Sequence, residues 1–165
     1  KLDMTRMLSM NETYIKAMNE KDLFKQLKEY VAKYKKPLDS SKEVALIKSM
    51  VFLKNKAKTL EDIFNNSQYI INEDIEIGDE DKKLLDEQSK LIVKDFVLEF
   101  KKVSSANKEN LEQIIKSLIE KYNTNFRGVG QPLRIGLVGS RFGPGLYDVI
   151  LSLDKIEVIK RLNKI

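Results

Sequence analysis

Six apolar residues, Leu111, Ile114, Ile115, Leu118, Ile119 and Tyr122, recur at the spacing of one face of an α-helix, with charged and polar residues between them. Leu23, Phe24, Leu27, Tyr30, Val31 and Tyr34 repeat the pattern earlier in the chain. Pro37 ends that stretch, because the residue before a proline is pushed out of the α region. Ser40-Ser41-Lys42-Glu43 reads as a capping box that opens a second helix through Val44, Ile47 and Val51 toward Lys56. Leu85, Ile92 and Phe96 mark another long helix. The chain is therefore expected to be all-α. Residues 65–78 are Asn-rich, acidic and end in Gly78, which predicts an inter-domain connection and two small helical domains, 1–72 and 73–165.

What the chain lacks narrows its chemistry. Among 165 residues there is no His and no Cys, so a Ser-His-Asp triad, a thiolate nucleophile and an ordinary zinc site are closed to it. No run approaches the roughly 18 apolar residues of a membrane helix, and residues 1–16 do not read as a secretory signal. No membrane partner and a cytoplasmic location are the expectation. The start at Lys1 instead of Met suggests a processed protein or an excised fragment.

Net charge is +5, and its distribution says more than its size. Residues 1–60 hold 14 basic and 7 acidic side chains, residues 61–122 hold 9 and 15, and residues 123–165 hold 7 and 3. Two basic ends flank an acidic middle, which suits a polyanion touched at both ends and equally suits solvated helix faces.

Six of the seven glycines and two of the three prolines lie between Gly128 and Gly145, interleaved with Arg127, Arg134 and Arg141. Glycine admits close backbone approach to a ligand and proline fixes the path, although an irregular turn region would carry the same residues. Leu133 to Ser140 could be read as a strand entering a phosphate loop. No Gly-Lys-Ser/Thr ending follows, Pro144 sits inside the supposed loop, and some twenty residues are too few for a further βαβ unit. A nucleotide-binding enzyme is set aside on those grounds. A helical protein–protein interaction module with no RNA role stays open as the alternative.

The same segment resembles the terminal signature of bacterial glutamyl-tRNA synthetases. The residues that carry the likeness are Gln131-Pro132-Leu133-Arg134-Ile135-Gly136-Leu137-Val138-Gly139 and then Gly143-Pro144-Gly145-Leu146-Tyr147-Asp148-Val149. In that family a Pro-Leu-Arg leads into a short helix ending in Gly. A Pro-containing turn follows, then two last helices, whose places Ile150 to Leu153 and Glu157 to Leu162 fill. Leu2-Asp3-Met4-Thr5-Arg6, with Asn11 and Tyr14-Ile15 behind it, is similar to the segment after the family's catalytic lysine loop. Lys56-Ala57-Lys58-Thr59-Leu60 resembles the stretch where the first anticodon-side domain presents a basic residue.

The resemblance implies two helical domains forming a cage around the anticodon loop of a glutamate-accepting tRNA, in a monomeric ligase. It carries over Arg134 as the arginine near the first two anticodon bases, and Pro144 and Leu146 as positions that pack against them. Leu146 also lies at helical spacing with Val149 and Ile150, so core is an open alternative. Gly143 departs from the family's usual Ser or Thr and loses a hydroxyl contact. Lys56 stands where some members place an arginine that inspects the third base. Lys54, Lys58, Arg127 and Arg141 are the expected tRNA-backbone contacts. The family's His-Ile-Gly-His-like and Lys-Met-Ser-Lys-like motifs are missing, so no catalytic residue, metal or cofactor is expected in this chain. ATP and Mg are implied only for a catalytic domain it does not contain.

Overall fold

In a computed structural model, residues 12–165 are described, and among them no residue is in a strand. The motif residues Leu2 to Arg6 and Asn11 lie outside the described residues. The chain divides into two compact units, Lys1–Glu73 and Asp74–Ile165.

In the first unit, helix α1 is Glu12–Ala17 and buries Ile15. Helix α2, Glu20–Tyr34, starts at Asn19, whose side-chain oxygen accepts the Asp22 N–H at 2.8 Å. An N-cap of this kind satisfies one of the orphan donors of the first turn. Leu23, Phe24, Leu27, Tyr30 and Val31 are all buried, as the stripe predicts. The expected capping box at Ser40 does not form. Asp39 accepts the Ser41 N–H at 2.9 Å, a 3₁₀ turn occupies Ser40–Lys42, and helix α3 is Glu43–Leu53. A carboxylate one residue earlier outcompetes the serine hydroxyl for the free amide. The predicted inward face of α3 is also reversed: Leu46, Met50 and Leu53 are buried, while Val44 and Val51 stand 66% and 55% exposed.

A second 3₁₀ turn, Lys54–Lys56, closes α3. Helix α4, Leu60–Asn66, has the true capping box: Thr59 Oγ1 accepts the Asp62 N–H, and the Asp62 carboxylate accepts the Thr59 N–H. Helix α5, Gln68–Ile71, follows at once and buries Tyr69 and Ile70. The first half of the expected connection, 65–71, is thus packed helix, not linker. Two well-placed aromatic and aliphatic side chains outweigh the turn propensity of its asparagines.

In the second unit, α6 is Asp79–Lys82 and α7 is Glu87–Lys102. Helix α8 is Lys108–Lys121 and α9 is Phe126–Val138; α10 is Leu146–Ser152 and α11 is Lys155–Leu162. Asp86, Asn107, Asn125 and Asp154 cap α7, α8, α9 and α11 through their side chains. Helices α7, α8 and α9 pack on one another, α11 lies against α7 and α9, and α10 against α8 and α9. Phe96 and Phe100 stack at 5.4 Å between ring centres in this core.

Helix α9 starts six residues before the Pro-Leu-Arg that was expected to lead into it. Pro132 is therefore interior, where it leaves the Gly128 carbonyl without its helical donor. The Asn125 cap, which accepts the Gly128 N–H at 2.8 Å, and burial of Val129, Leu133, Ile135 and Leu137 hold the helix together across it. The helix ends at Gly139, whose φ of +85° is a left-handed cap and whose N–H bonds the Ile135 carbonyl at 2.9 Å.

Candidate nucleic-acid interface

The loop after α9 and the first turns of α9 form one cleft. Its cavity of about 340 Å³ is lined by Phe126, Arg127, Gly130, Gln131, Arg134, Arg141 and Phe142. All three arginines that the sequence interleaves with glycines thus converge on one space. They come from the first and third turns of α9 and from the loop that follows it. Gly130 keeps the wall thin, since an added Cβ would lie 3.3 Å from the Phe126 ring and 3.4 Å from Leu146 Cδ2.

Arg134 is half-buried. Its Nη1 donates to the Arg141 carbonyl at 3.2 Å, and its Nε is buried with no hydrogen-bond partner. A buried donor in that state costs about 1–3 kcal/mol, and such orphans call for an explanation. Arg141 is held in turn by Asp81 of α6. The carboxylate Oδ1 lies 3.3 Å from Arg141 Nη1 and 3.4 Å from its backbone N. The Arg141 guanidinium sits 4.9 Å from the centre of the Phe142 ring. Phe142 itself is 68% exposed. On the opposite helix end, Phe126 is exposed and lies 6.0 Å from the Tyr147 ring. Burial of Tyr147, then the nearby Glu112, pushes its hydroxyl pKa above the ordinary tyrosine value.

The other expected site residues fall in different surroundings. Arg127 is exposed on the first turn of α9. Gly143 is exposed at φ +140°, and Pro144 beside it is half-buried. Leu146, at 2% exposure, belongs to the core under Gly130. In the first unit, Lys54 is engaged: it donates to the Met18 carbonyl at 3.2 Å and pairs with Glu20 at 3.5 Å. Lys56 and Lys58 are exposed on either side of the buried Ala57. Phe126, Phe142 and Asp81 were not anticipated. An aromatic residue between Arg141 and Gly143 was the available signal for the second of these.

A larger groove of about 600 Å³ runs along α7, among Leu91, Lys94, Leu98 and Leu162. Its lining is mainly aliphatic, with three lysines, Glu87 and Asn163, and it holds no arginine and no aromatic ring on which a base could stack. Among the described residues no group of three His, Cys, Asp or Glu could hold a metal ion, and no helix is long and apolar enough to cross a membrane.

Comparison with known proteins gives the same direction. Glutamate–tRNA ligase of Pelagibacter ubique (strain HTCC1062) is 54% identical over 166 residues, spanning 100% of this chain and 36% of that protein. Glutamate–tRNA ligase 1 of Bartonella tribocorum is 26% identical over 170 residues, 99% of this chain and 36% of its own length. This chain thus spans about a third of the curated relatives it matches. The fold is shared with a glutamate tRNA ligase from Elizabethkingia meningosepticum, at a TM-score of 0.76 and 22% identity over 93% of this chain and 30% of that one. A glutamate-tRNA synthetase from Elizabethkingia anophelis superposes at a TM-score of 0.71 with 23% identity, over the same 93% and 30%. The model of the anticodon binding domain matches residues 16–165, and the chain belongs to that family.

Proposed function

We propose that this chain reads the anticodon loop of a glutamate-accepting tRNA, as the anticodon-binding part of a glutamate–tRNA ligase. The observation that carries the reading is the single cleft in which Arg127, Arg134 and Arg141 meet the rings of Phe126 and Phe142. Loop bases are unstacked, and proteins take them by stacking on aromatic or guanidinium planes and by hydrogen bonds to their edges. Arg134 is the base reader. Its guanidinium is fixed at one corner by the Arg141 carbonyl, and a fixed planar fork presents its remaining donors at low entropic cost. Pro144 and the Gly143 backbone bound the same loop, and Leu146 supports the wall from behind.

Arg127, exposed at the cleft, suits a phosphate, and so do Lys56 and Lys58 on the first unit. Lys54 is spent on Glu20 and Met18 and serves the fold. The chain spans 36% of each of the two ligases it was compared with, and both matches leave most of the ligase's length outside it. Glutamate activation is accordingly assigned to a part of the ligase outside this chain.

The test is binding of glutamate-accepting tRNA, and of the same tRNA altered at each anticodon base, at low and moderate salt. Arg134→Ala is expected to lose about 1–3 kcal/mol on the cognate anticodon and to relax discrimination there. Lys58→Ala should weaken all tRNAs alike and lower the salt slope by about one. Lys56→Ala separates a base contact from a phosphate contact by whether one third-position base suffers more. An equal loss for cognate and altered anticodons in Arg134→Ala sinks the assignment.

A further inference from the structure

Phe142 has a property that the core aromatics lack. Its ring stands 68% exposed on a loop that is tied down from two directions. One tie is Asp81, which accepts both from the Arg141 backbone N–H and from its guanidinium. The other is Arg134, which donates to the carbonyl of Arg141. The Phe142 N–H is itself bonded to Ser140 Oγ at 3.0 Å. An exposed phenyl ring on a floppy loop would be unremarkable; one on a fixed loop inside a cationic cleft is a prepared surface. The Arg141 guanidinium covers part of the ring at 4.9 Å, and the ring's remaining surface is open to solvent.

We infer that Phe142 is a stacking platform for one unpaired RNA base, and that Asp81 is the residue that positions it, acting through Arg141. The inference rests on the anticodon-reading proposal and adds to it a contact made by ring stacking, separate from the edge contact assigned to Arg134. Stacking suits a phenyl ring because every base offers a π-face, so this contact supplies affinity at one position with little preference among bases. The guanidinium against the ring, and a base against the rest of it, would form a layered arrangement in which the cation also faces a π-system. Asp81 touches neither base nor ring. It fixes the backbone and the head of Arg141 together, so its loss lets the loop sample other conformations before RNA arrives.

The experiment uses the full chain and a hairpin RNA carrying the anticodon loop of a glutamate-accepting tRNA. A matched set replaces one loop nucleotide at a time by an abasic one. Phe142→Ala should bind the intact hairpin roughly 5- to 150-fold more weakly, the worth of one stacked base. On one abasic hairpin, the one missing the stacked base, it should bind within twofold of the unmodified protein. Phe142→Trp should keep the affinity, since it keeps a ring. Asp81→Asn should weaken the intact hairpin by a smaller factor and fall silent on the same abasic hairpin. A positioning role predicts that coincidence, and a general loss of folding does not. Because Phe142 is exposed, its Ala variant should melt with the unmodified protein, and melting curves check this. A Phe142→Ala penalty equal on every abasic hairpin, or a Trp variant as weak as Ala, overturns the stacking role. An Asp81→Asn variant unchanged on every hairpin overturns the positioning role. If Phe142→Ala binds normally while Arg134→Ala is weakened, only this inference fails; if both bind normally, the anticodon reading fails with it.

Discussion

Replacing Gly139 by Ala tests the joint between the helix that carries Arg134 and the segment that enters the second unit. Gly139 ends α9 at φ +85°, a left-handed conformation that costs an L-residue roughly 1–2 kcal/mol. The second cost is a collision. A Cβ there would lie 2.6 Å from the Glu76 carbonyl oxygen and 2.7 Å from Ile75 Cγ2. The first neighbour is backbone and cannot swing aside, so residues 75–76 or the helix end must shift, at about 1–3 kcal/mol for overpacking of this kind. The two effects together predict a loss of about 2–5 kcal/mol in the second unit. For a domain of that size each kcal/mol moves Tm by about 4–8 °C, so the transition should fall by roughly 10–40 °C.

Gly143→Ala is the internal control. Its φ of +140° is also unfavourable for Ala, but the nearest atom to the added Cβ is Val138 Cγ2 at 3.8 Å, and the position is exposed. That variant should lose only the backbone share, about 1–2 kcal/mol, and much of it can be relieved by local adjustment of the loop. Far-UV circular dichroism melts and urea titrations of the full chain measure both. A Gly139→Ala protein within 0.5 kcal/mol of wild type, on the scale of an ordinary surface change, would refute the reasoning. So would two variants of equal stability, because the backbone collision would then count for nothing.

Two further outcomes are expected. Arg161 is buried, with Nη1 donating to the Leu137 carbonyl at 2.8 Å and Nε to Glu157 at 3.2 Å; Arg161→Leu, which leaves that carbonyl and carboxylate without their donors, should cost about 2–4 kcal/mol in urea unfolding. Asp95 on α7 accepts from Lys121 and from the Tyr122 hydroxyl on the end of α8, and these two bonds, Lys121 first, hold its pKa below the ordinary carboxylate value. Its contribution is therefore present above an unfolded-state pKa of about 3.9 and is lost as pH falls through the lower folded value. The unfolding free energies from urea titrations of wild type and Asp95→Asn should differ by about 1 kcal/mol at pH 6, and the gap should shrink as pH falls below the ordinary carboxylate range.

The helical stripes of α2, α7 and α8 were legible because polar residues separate their apolar faces. Helix α3 was not, since Val44, Leu46, Ile47, Met50, Val51, Phe52 and Leu53 surround most of it and periodicity cannot choose a side. Helix α9 was read too short for the opposite reason. Gly128, Gly130 and Pro132 are poor helix formers, and only packing explains why the helix runs through them. Gly136 is an instance: a Cβ there would come within 3.0 Å of Leu162 and 3.1 Å of Ile165, so the missing side chain lets α11 approach. For the cleft, the three arginines were legible from their interleaving with glycine. Phe126 and Phe142 carry no periodic signal, and Asp81 lies sixty residues from the arginine it holds, a pairing that only the folded chain reveals.

The glycine cluster illustrates how one composition can serve several physical ends. Read as a sequence, it suggests backbone brought close to a ligand. In the fold, Gly128, Gly130 and Gly136 lie within α9, Gly139 terminates it against Glu76, and Gly143 turns the loop. The loop at 139–143 is consequently fastened at Gly139 by contact, at Arg141 by Asp81 and at the Arg141 carbonyl by Arg134. Ordering a backbone residue costs about 1–2 kcal/mol of conformational entropy, so a loop that is already ordered can give more of its contact energy to a bound base. Affinity in such a site depends on residues that never meet the RNA. On the proposed reading, the side chains that set the loop, Asp81 above all, matter to RNA binding as much as Arg134 and Phe142 do.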